Sequence, residues 1–516
     1  MCRPSHPLIR TFCWQLLVVG SVTTSALPVS ADDLDGLAAA RAIEKQFVDV
    51  IARCEGAVVS IVRRGPAEAD PRPQLPLPRR NRVQDRVIDL SSAPMTFGAG
   101  VIIASAVDGN ARFVLTNDHV LRASREATSA DIRDPIEIRL SNHRSVRALV
   151  VASDPRSDLA VLKLNLTGSG IDPADVVPLP LGDATNARKG QLVLALGNPY
   201  AIGRDGAASA SWGIISNISR PLPKQGDEQE TSDGVGASIH EYGTLLHIDT
   251  RLDLGMSGGA LIDLEGNLIG LTTSLAALEG YEKSVGYAIP VDAAMRRVVE
   301  TLLQGFEVEY GFLGIHTGDV SPANFPLPDG QESAAEALFV SSGSPAARGG
   351  LRNRDVILSI NGSPVLSPND LMREIGLLGA GVNARLEVWR GTEGRRWRAD
   401  VTLGKWPFVD DSQIVATNDR YPLWRGLRVD YPTGRRRFLT SDVMEEYHHA
   451  VLILSVTDNS LALAGGLRPG DFVRSVGNVP VETPQQFHEA VADLSGTVTL
   501  TRLDGTHIEV PDAKNN

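Results

Sequence analysis

Cysteine is almost missing from this 516-residue chain, which has only Cys2, Cys13 and Cys54. The first two lie in a segment built like an export signal: Arg3 and Arg10, an apolar run from Phe12 to Val22, then small residues ending Val29-Ser30-Ala31. A cut after Ala31 leaves one thiol, which excludes an internal disulfide and argues against a thiolate metal site. Cys54 has no histidine nearby and is a poor nucleophile candidate. Long apolar runs are also lacking. The N-terminal one is short for a membrane span, and Pro28 interrupts any extension, although an uncleaved anchor stays open as an alternative. Aromatics make up only 5%, and with 49 glycines the balance favours strands and turns over helical bundles. Positive charge is in deficit, with 50 Lys and Arg against 62 Asp and Glu; loss of the signal takes the net charge from −12 to −14. Nucleic acid and anionic lipid are therefore poor partners, and Arg79-Arg80 and Arg435-Arg436-Arg437 read as local runs on solvated loops.

The length suits two to four domains. Ile43, Phe47, Val50 and Ile51 recur at helical spacing, and Ala57–Val62 reads as a first strand. Between Gly65 and Pro94, prolines alternate with charges in an exposed loop. From Phe97 to Ile289 short apolar strands alternate with turn residues, the pattern of a sandwich or barrel, interrupted by a polar loop at Pro221–Ser238. Asp292–Gln304 then reads as a helix. Two later segments repeat one another: Ser344-Pro345-Ala346-Ala347-Arg348-Gly349-Gly350-Leu351 before Asp355, and Ser460-Leu461-Ala462-Leu463-Ala464-Gly465-Gly466-Leu467 before Asp471. Each continues into a hairpin turn, Asn361-Gly362 or Gly477-Asn478, and a further helix, Pro368–Leu378 or Pro484–Leu494.

A serine hydroxyl attacks a carbonyl only with a base to take its proton, a carboxylate to orient the base, and N–H groups aimed at the oxyanion. Gly255-Met256-Ser257-Gly258-Gly259 offers a nucleophile, with the N–H groups of Gly255 and Ser257 able to converge. Upstream, Leu115-Thr116-Asn117-Asp118-His119 ends a strand with a histidine, and Ser157-Asp158-Leu159 puts an acid at the mouth of another. The chain order His119, Asp158, Ser257 is that of the chymotrypsin-type double barrel.

With Gly98-Ala99-Gly100-Val101, Leu196-Gly197-Asn198-Pro199, Trp212-Gly213-Ile214-Ile215-Ser216 and Gly286-Tyr287-Ala288-Ile289-Pro290 added, the chain resembles the HtrA (Deg) serine proteases over nearly all its mature length. The resemblance implies a mainly β fold: a chymotrypsin-type double β-barrel protease domain followed by two small α+β PDZ domains. The expected boundaries are signal peptide 1–31, protease 32–305, first PDZ 306–405, linker 406–420 and second PDZ 421–512. It implies endoproteolysis of unfolded or damaged proteins outside the cytoplasm, with no cofactor, neither metal nor ATP, and self-association as a trimer or multiples of one. Rival readings are a scaffold with an inert barrel and a membrane-tethered regulatory protease.

In the site, the resemblance implies an oxyanion hole at Gly255, Met256 and Ser257, and a pocket wall of Thr273, Ser274 and Leu275. No acid stands at Thr250-Arg251-Leu252, so small aliphatic side chains fit better than Lys or Arg. Gly311-Phe312-Leu313-Gly314-Ile315 resembles the loop by which a PDZ domain holds a peptide's terminal carboxylate, with Trp424–Arg428 a looser counterpart. Two departures stand out. Met256 replaces the family's usual asparagine beside the nucleophile, removing a polar side chain that holds the loop. Asp118 also replaces an asparagine; its charge either raises the basicity of His119 or faces away.

Overall fold

The computed structural model describes residues 31–63, 96–105, 111–122, 128–132, 135–198, 207–221, 238–253, 255–273, 286–320, 327–328, 331–391, 393–407, 411–438 and 446–512. The export signal before Ala31, the proline-rich loop, most of the Pro221–Ser238 loop, and Ser274 and Leu275 lie outside them. Helix α1 spans Ala31–Cys54. Val50 and Cys54 in its last turns are buried, and the Cys54 thiol reaches the Gly266 carbonyl at 3.5 Å. Burial raises its pKa, so this cysteine serves as a small core residue. Among the described residues, no helix is long and apolar enough to cross a membrane.

The first barrel uses β1 (Val58–Arg63), β2 (Thr96–Ala104), β3 (Arg112–Thr116), β4 (Ile136–Arg139), β5 (Ser145–Asp154) and β6 (Leu159–Asn165). The long strand β5 closes it by pairing with both β4 and β6. Along the first half of β5, Val146, Ala148 and Val150 point inward, while Ser145, Arg147 and Leu149 face solvent, the period of a half-buried strand. The second barrel closes through β7 (Leu192–Gly197), β8 (Ser209–Arg220), β9 (Leu245–Ile248), β10 (Ala260–Ile262), β11 (Leu268–Thr273) and β12 (Gly286–Pro290). Its core contains Val193, Ala195, Leu246, Leu261, Ile269 and the side chain of Met256. Helix α3 (Ala293–Leu303), which follows the single-turn α2 (Asp118–Leu121) in chain order, is capped by the Asp292 carboxylate on Met295 N.

Both repeats have one topology. The first orders its strands β14 (Ile315–Asp319), β15 (Ala335–Val340), β16 (Val356–Ile360), β18 (Asn383–Arg390), β19 (Arg395–Thr402), with β17 (Ser363–Pro364) beside β16. The second orders β22 (Leu427–Asp430), β23 (Val451–Val456), β24 (Phe472–Val476), β26 (Val498–Arg502), β27 (His507–Val510), with β25 (Val479–Pro480) beside β24. Short helices α4 (Pro345–Arg348) and α6 (Leu461–Ala464) start alike, with the hydroxyls of Ser344 and Ser460 accepting from Ala347 N and Leu463 N. The later helices, α5 (Pro368–Leu378) and α7 (Pro484–Val491), each open on a proline behind a Ser or Thr cap. Strand β13 (Gly311–Phe312) pairs with β20 (Gly404–Lys405) at the first repeat's base.

Buried charge fastens the repeats to the first barrel. Arg437 contacts Asp411 and Asp430, each at 3.2 Å; Lys405 bridges Asp430 at 3.2 Å and Glu307 at 3.1 Å. Glu307 lies 3.6 Å from Arg156, which holds Asp154 at 2.7 Å. The stretch expected as a linker is not a bare tether. It contains β21 (Val415–Ala416), which pairs antiparallel with Ala152–Ser153 of β5.

Candidate active site

Apolar strand β3 stops at Thr116, and the extended Asn117 lets the chain turn into α2, which carries His119. Opposite it, the turn Pro155–Asp158 leads into β6, with Asp158 in the left-handed region at φ +52°. That conformation is sparsely used by non-glycine residues, and several contacts sustain it. Asn117 Nδ2 and Asp118 N donate to the Asp158 carbonyl at 3.0 and 3.1 Å, and His119 N donates to Asp158 Oδ1 at 3.1 Å. The His119 Nδ1 lies 2.9 Å from both carboxylate oxygens. With its proton on Nδ1, the ring presents a bare Nε2. That nitrogen is buried and has no hydrogen-bond partner among the described residues.

Burial acts to lower the His119 pKa, but the charge and hydrogen bond of Asp158, with a further contribution from Asp118, outweigh it and leave the pKa raised. Asp118 itself is 3% exposed and committed elsewhere: Arg122 Nε and Nη2 donate to its two oxygens at 2.6 and 2.8 Å, and the Ser153 hydroxyl adds a further bond. Of the two roles open to Asp118, its side chain takes on parts of both. It pairs away from the imidazole, yet its charge still reaches it.

The Ser257 turn belongs to the second barrel and is tied to the first. Ala99 N donates to Ser257 O at 2.8 Å, and Thr116 Oγ1 to Ala99 O at 2.7 Å. Gly255 and Gly258 take φ of +96° and +80°. A side chain at Gly258 would collide with the Ala99 carbonyl and the Thr116 hydroxyl, so glycine is required where the barrels meet. Met256 N donates to Asp253 O at 3.0 Å, which takes this N–H out of the expected oxyanion set. The Met256 side chain, 3% exposed, anchors in the barrel core, and its carbonyl accepts from Thr272 Oγ1 at 2.7 Å.

Thr273 makes a contact that the sequence did not indicate. Its buried hydroxyl lies 3.3 Å from Asp158 Oδ2, where it donates to the carboxylate that orients His119. Its expected companions Ser274 and Leu275 lie outside the described residues. Sequence reasoning missed His240 altogether. Its Nε2 donates to the Ser157 carbonyl at 2.9 Å and its Nδ1 accepts from the Thr244 hydroxyl at 2.5 Å, bracing the residue before Asp158. Burial lowers its pKa and keeps the ring neutral. The signal available was Ser238-Ile239-His240-Glu241, a capping box whose N-terminal Ser238 is bonded to Arg156 O.

In the first repeat, Phe312, Leu313 and Ile315 are buried and Gly314 takes φ +78°. The carbonyls of Leu313 and Gly314 accept from Ala346 N and Ser341 N at 2.9 and 3.1 Å, so they turn into the domain. In the second, Trp424 stacks edge-on against Phe487, and Leu427 lies in the core.

Residues 98–271 match the trypsin-like peptidase domain family, and residues 340–390 the PDZ domain family. A probable periplasmic serine endoprotease DegP-like of Pseudomonas fluorescens Pf-5 is 31% identical over 409 residues, spanning 78% of this chain and 75% of that one. The chain belongs to the DegP-like (HtrA) family of serine endoproteases. A DegP-like protein of Halomonas elongata is 30% identical over 404 residues, 77% of this protease and 74% of its own length. A solved structure, the HtrA-type protease AlgW with tripeptide, is 26% identical, covering 70% of this protease and 98% of that chain at a TM-score of 0.48. The protease is thus a serine endopeptidase with a double β-barrel and PDZ architecture, acting on peptide or protein substrates.

Proposed function

We propose that this protease is exported to the periplasm and cuts unfolded or damaged polypeptides through an acyl-enzyme. Ser257 is the nucleophile, His119 the base and Asp158 the orienting carboxylate. The observation that carries this reading is the buried, unpartnered His119 Nε2, on a ring whose other nitrogen is held by Asp158 and whose neighbour Thr116 is tied through Ala99 to the Ser257 turn. Nε2 takes the Ser257 proton as Oγ bonds to the substrate carbonyl carbon; the carbonyl oxygen becomes an oxyanion facing the N–H groups of Gly255 and Ser257. The imidazolium then gives its proton to the leaving amine, and water, activated by the same nitrogen, releases the acid. Small aliphatic side chains suit the cleavage position, with loose selectivity because a methylene is worth only ~1–3 kcal/mol.

The repeats, at 306–405 and 421–512 behind a protease domain at 32–305, capture peptide or C-terminal segments, the first through Gly311–Ile315. The protease assembles as a trimer or a multiple of one. Incubating purified protein with unfolded casein, beside Ser257→Ala, tests the chemistry. Hydrolysis by the first and a loss of ~10⁴ or more in the second is expected; equal inactivity of both favours an inert scaffold. A solution mass measurement reads the assembly, and N-terminal sequencing reads the export cut, expected to leave Asp32 first.

A further inference from the structure

Among the described residues, one segment outside both barrels reaches the catalytic histidine's neighbours: the stretch between the two repeats. Its Val415, 4% exposed, pairs with Ser153 of β5, the residue whose hydroxyl holds Asp118. Two residues earlier, the Gln413 carbonyl accepts from Arg122 Nη2, the guanidinium that clamps the same carboxylate. Further ties fix the segment along its length. Ser129 N donates to Ser412 O at 2.6 Å, Thr417 Oγ1 to Val151 O at 2.8 Å, and Asn418 Nδ2 to Gln304 O at 2.7 Å. At its start Asp411 is gripped by Arg437, which follows β22 in the second repeat.

We propose that the inter-repeat segment is a positioning device for the catalytic base, with Arg122 as its positioning residue. Docked as an added strand on β5, it completes the shell that fixes the Asp118 carboxylate next to His119. Arg122 is ~6% exposed on its side chain and grips both oxygens of Asp118, so it acts through that carboxylate. A buried guanidinium needs acceptors for its donors. Asp118 supplies two of those described and the docked segment a third. Withdrawal of the segment takes away the Gln413 carbonyl and with it one of the contacts that hold the Arg122–Asp118 pair in place. Arg437 meets Asp411 at 3.2 Å, so the segment is tied to the second repeat as well as to β5. This deepens the acyl-enzyme reading and rests on it for the role of His119.

The test uses the full-length protein. Arg122→Gln removes the clamp, and Val415→Asp puts a charge where the strand is buried. Each lowers kcat on a short peptide about tenfold with KM within about twofold, and the double variant is no worse than the poorer single, because both act on one carboxylate. Arg122→Lys recovers most of the loss. The titration of the His119 ring, followed by NMR in ¹⁵N-labelled protein, supplies a readout that needs no turnover; the ionisable groups around it are Asp158, Asp118 and Arg122, with His240 behind the Ser157 carbonyl. Its midpoint moves in Arg122→Gln and Val415→Asp and returns toward wild type in Arg122→Lys. A folded Arg122→Gln with kcat and midpoint unchanged overturns the proposal. So does a fall in kcat with the midpoint unmoved, or losses that add in the double variant. If Val415→Asp unfolds, the two Arg122 variants decide. If wild type hydrolyses nothing while the His119 midpoint still responds, the acyl-enzyme reading fails and the positioning role stands.

Discussion

Replacing Thr273 by valine keeps the shape of the side chain and removes one hydroxyl. That hydroxyl sits 3.3 Å from Asp158 Oδ2 in a buried site. A hydrogen bond to a charged group contributes ~1.5–3 kcal/mol, and one this long belongs at the lower end, ~1.5 kcal/mol. Asp158 keeps its bonds from His119 N and Nδ1, so the site stays assembled and the loss falls on how well the carboxylate supports the imidazolium in the transition state. At 1.36 kcal/mol per decade, the expected result is about a tenfold drop in kcat. The drop is the same for substrates with Ala, Val or Leu before the cut, KM stays within about twofold, and Thr273→Ser retains most of the activity. Steady-state kinetics on three matched peptides measure this. If kcat holds and the ranking of the peptides changes instead, Thr273 works as a pocket wall, and the argument from the Asp158 contact is wrong.

The raised His119 pKa means that the acid limb of kcat/KM lies above the ordinary imidazole value of 6.5, since Nε2 must be bare to take a proton. Asp118→Asn removes one of the charges that raise it, so the limb moves to lower pH in a pH–rate profile. His240 is held neutral by burial, so the stability it contributes is full above pH 6.5 and is lost as pH falls below that value; His240→Gln flattens the fall in melting temperature between pH 7 and 5. Lys405→Met leaves Glu307 and Asp430 each with one guanidinium. Breaking a buried pair costs ~3–5 kcal/mol, and the remaining partners place this variant near the lower figure, read as a lowered first calorimetric transition. Burial acts to raise the Glu307 pKa, but Lys405 and Arg156 overcome it and bring it to about 2; its share of the stability is present above pH 4.5 and disappears as pH falls from there through about 2.

Two of the proposed triad residues could be picked from the chain because each lies beside a strand end: β3 stops at Thr116, three residues before His119, and β6 starts at Leu159, just after Asp158. The repeats were legible for a similar reason, since a Ser cap, a glycine pair and an Asp recur at matching offsets. The Thr273–Asp158 contact was not legible because every residue of β11 is buried, and burial on both faces erases the alternation that tells one side of a strand from the other. Strand β5 carries the alternation in its first half but begins in Ser145 and Arg147, which hide it among turn residues. Strand β21 had no signal at all. Two residues, Val415 and Ala416, in a polar stretch acquire strand geometry only from the edge they lie against. For His240 the capping box marked the turn but not the contact, because its partner Ser157 stands 83 positions away.

Met256 gives the turn that carries Ser257 an oily root in the core of the second barrel. Grease of this kind has no proton to lose or gain, and it grips less firmly in the cold. The turn that carries Ser257 is therefore held by a contact whose grip follows temperature.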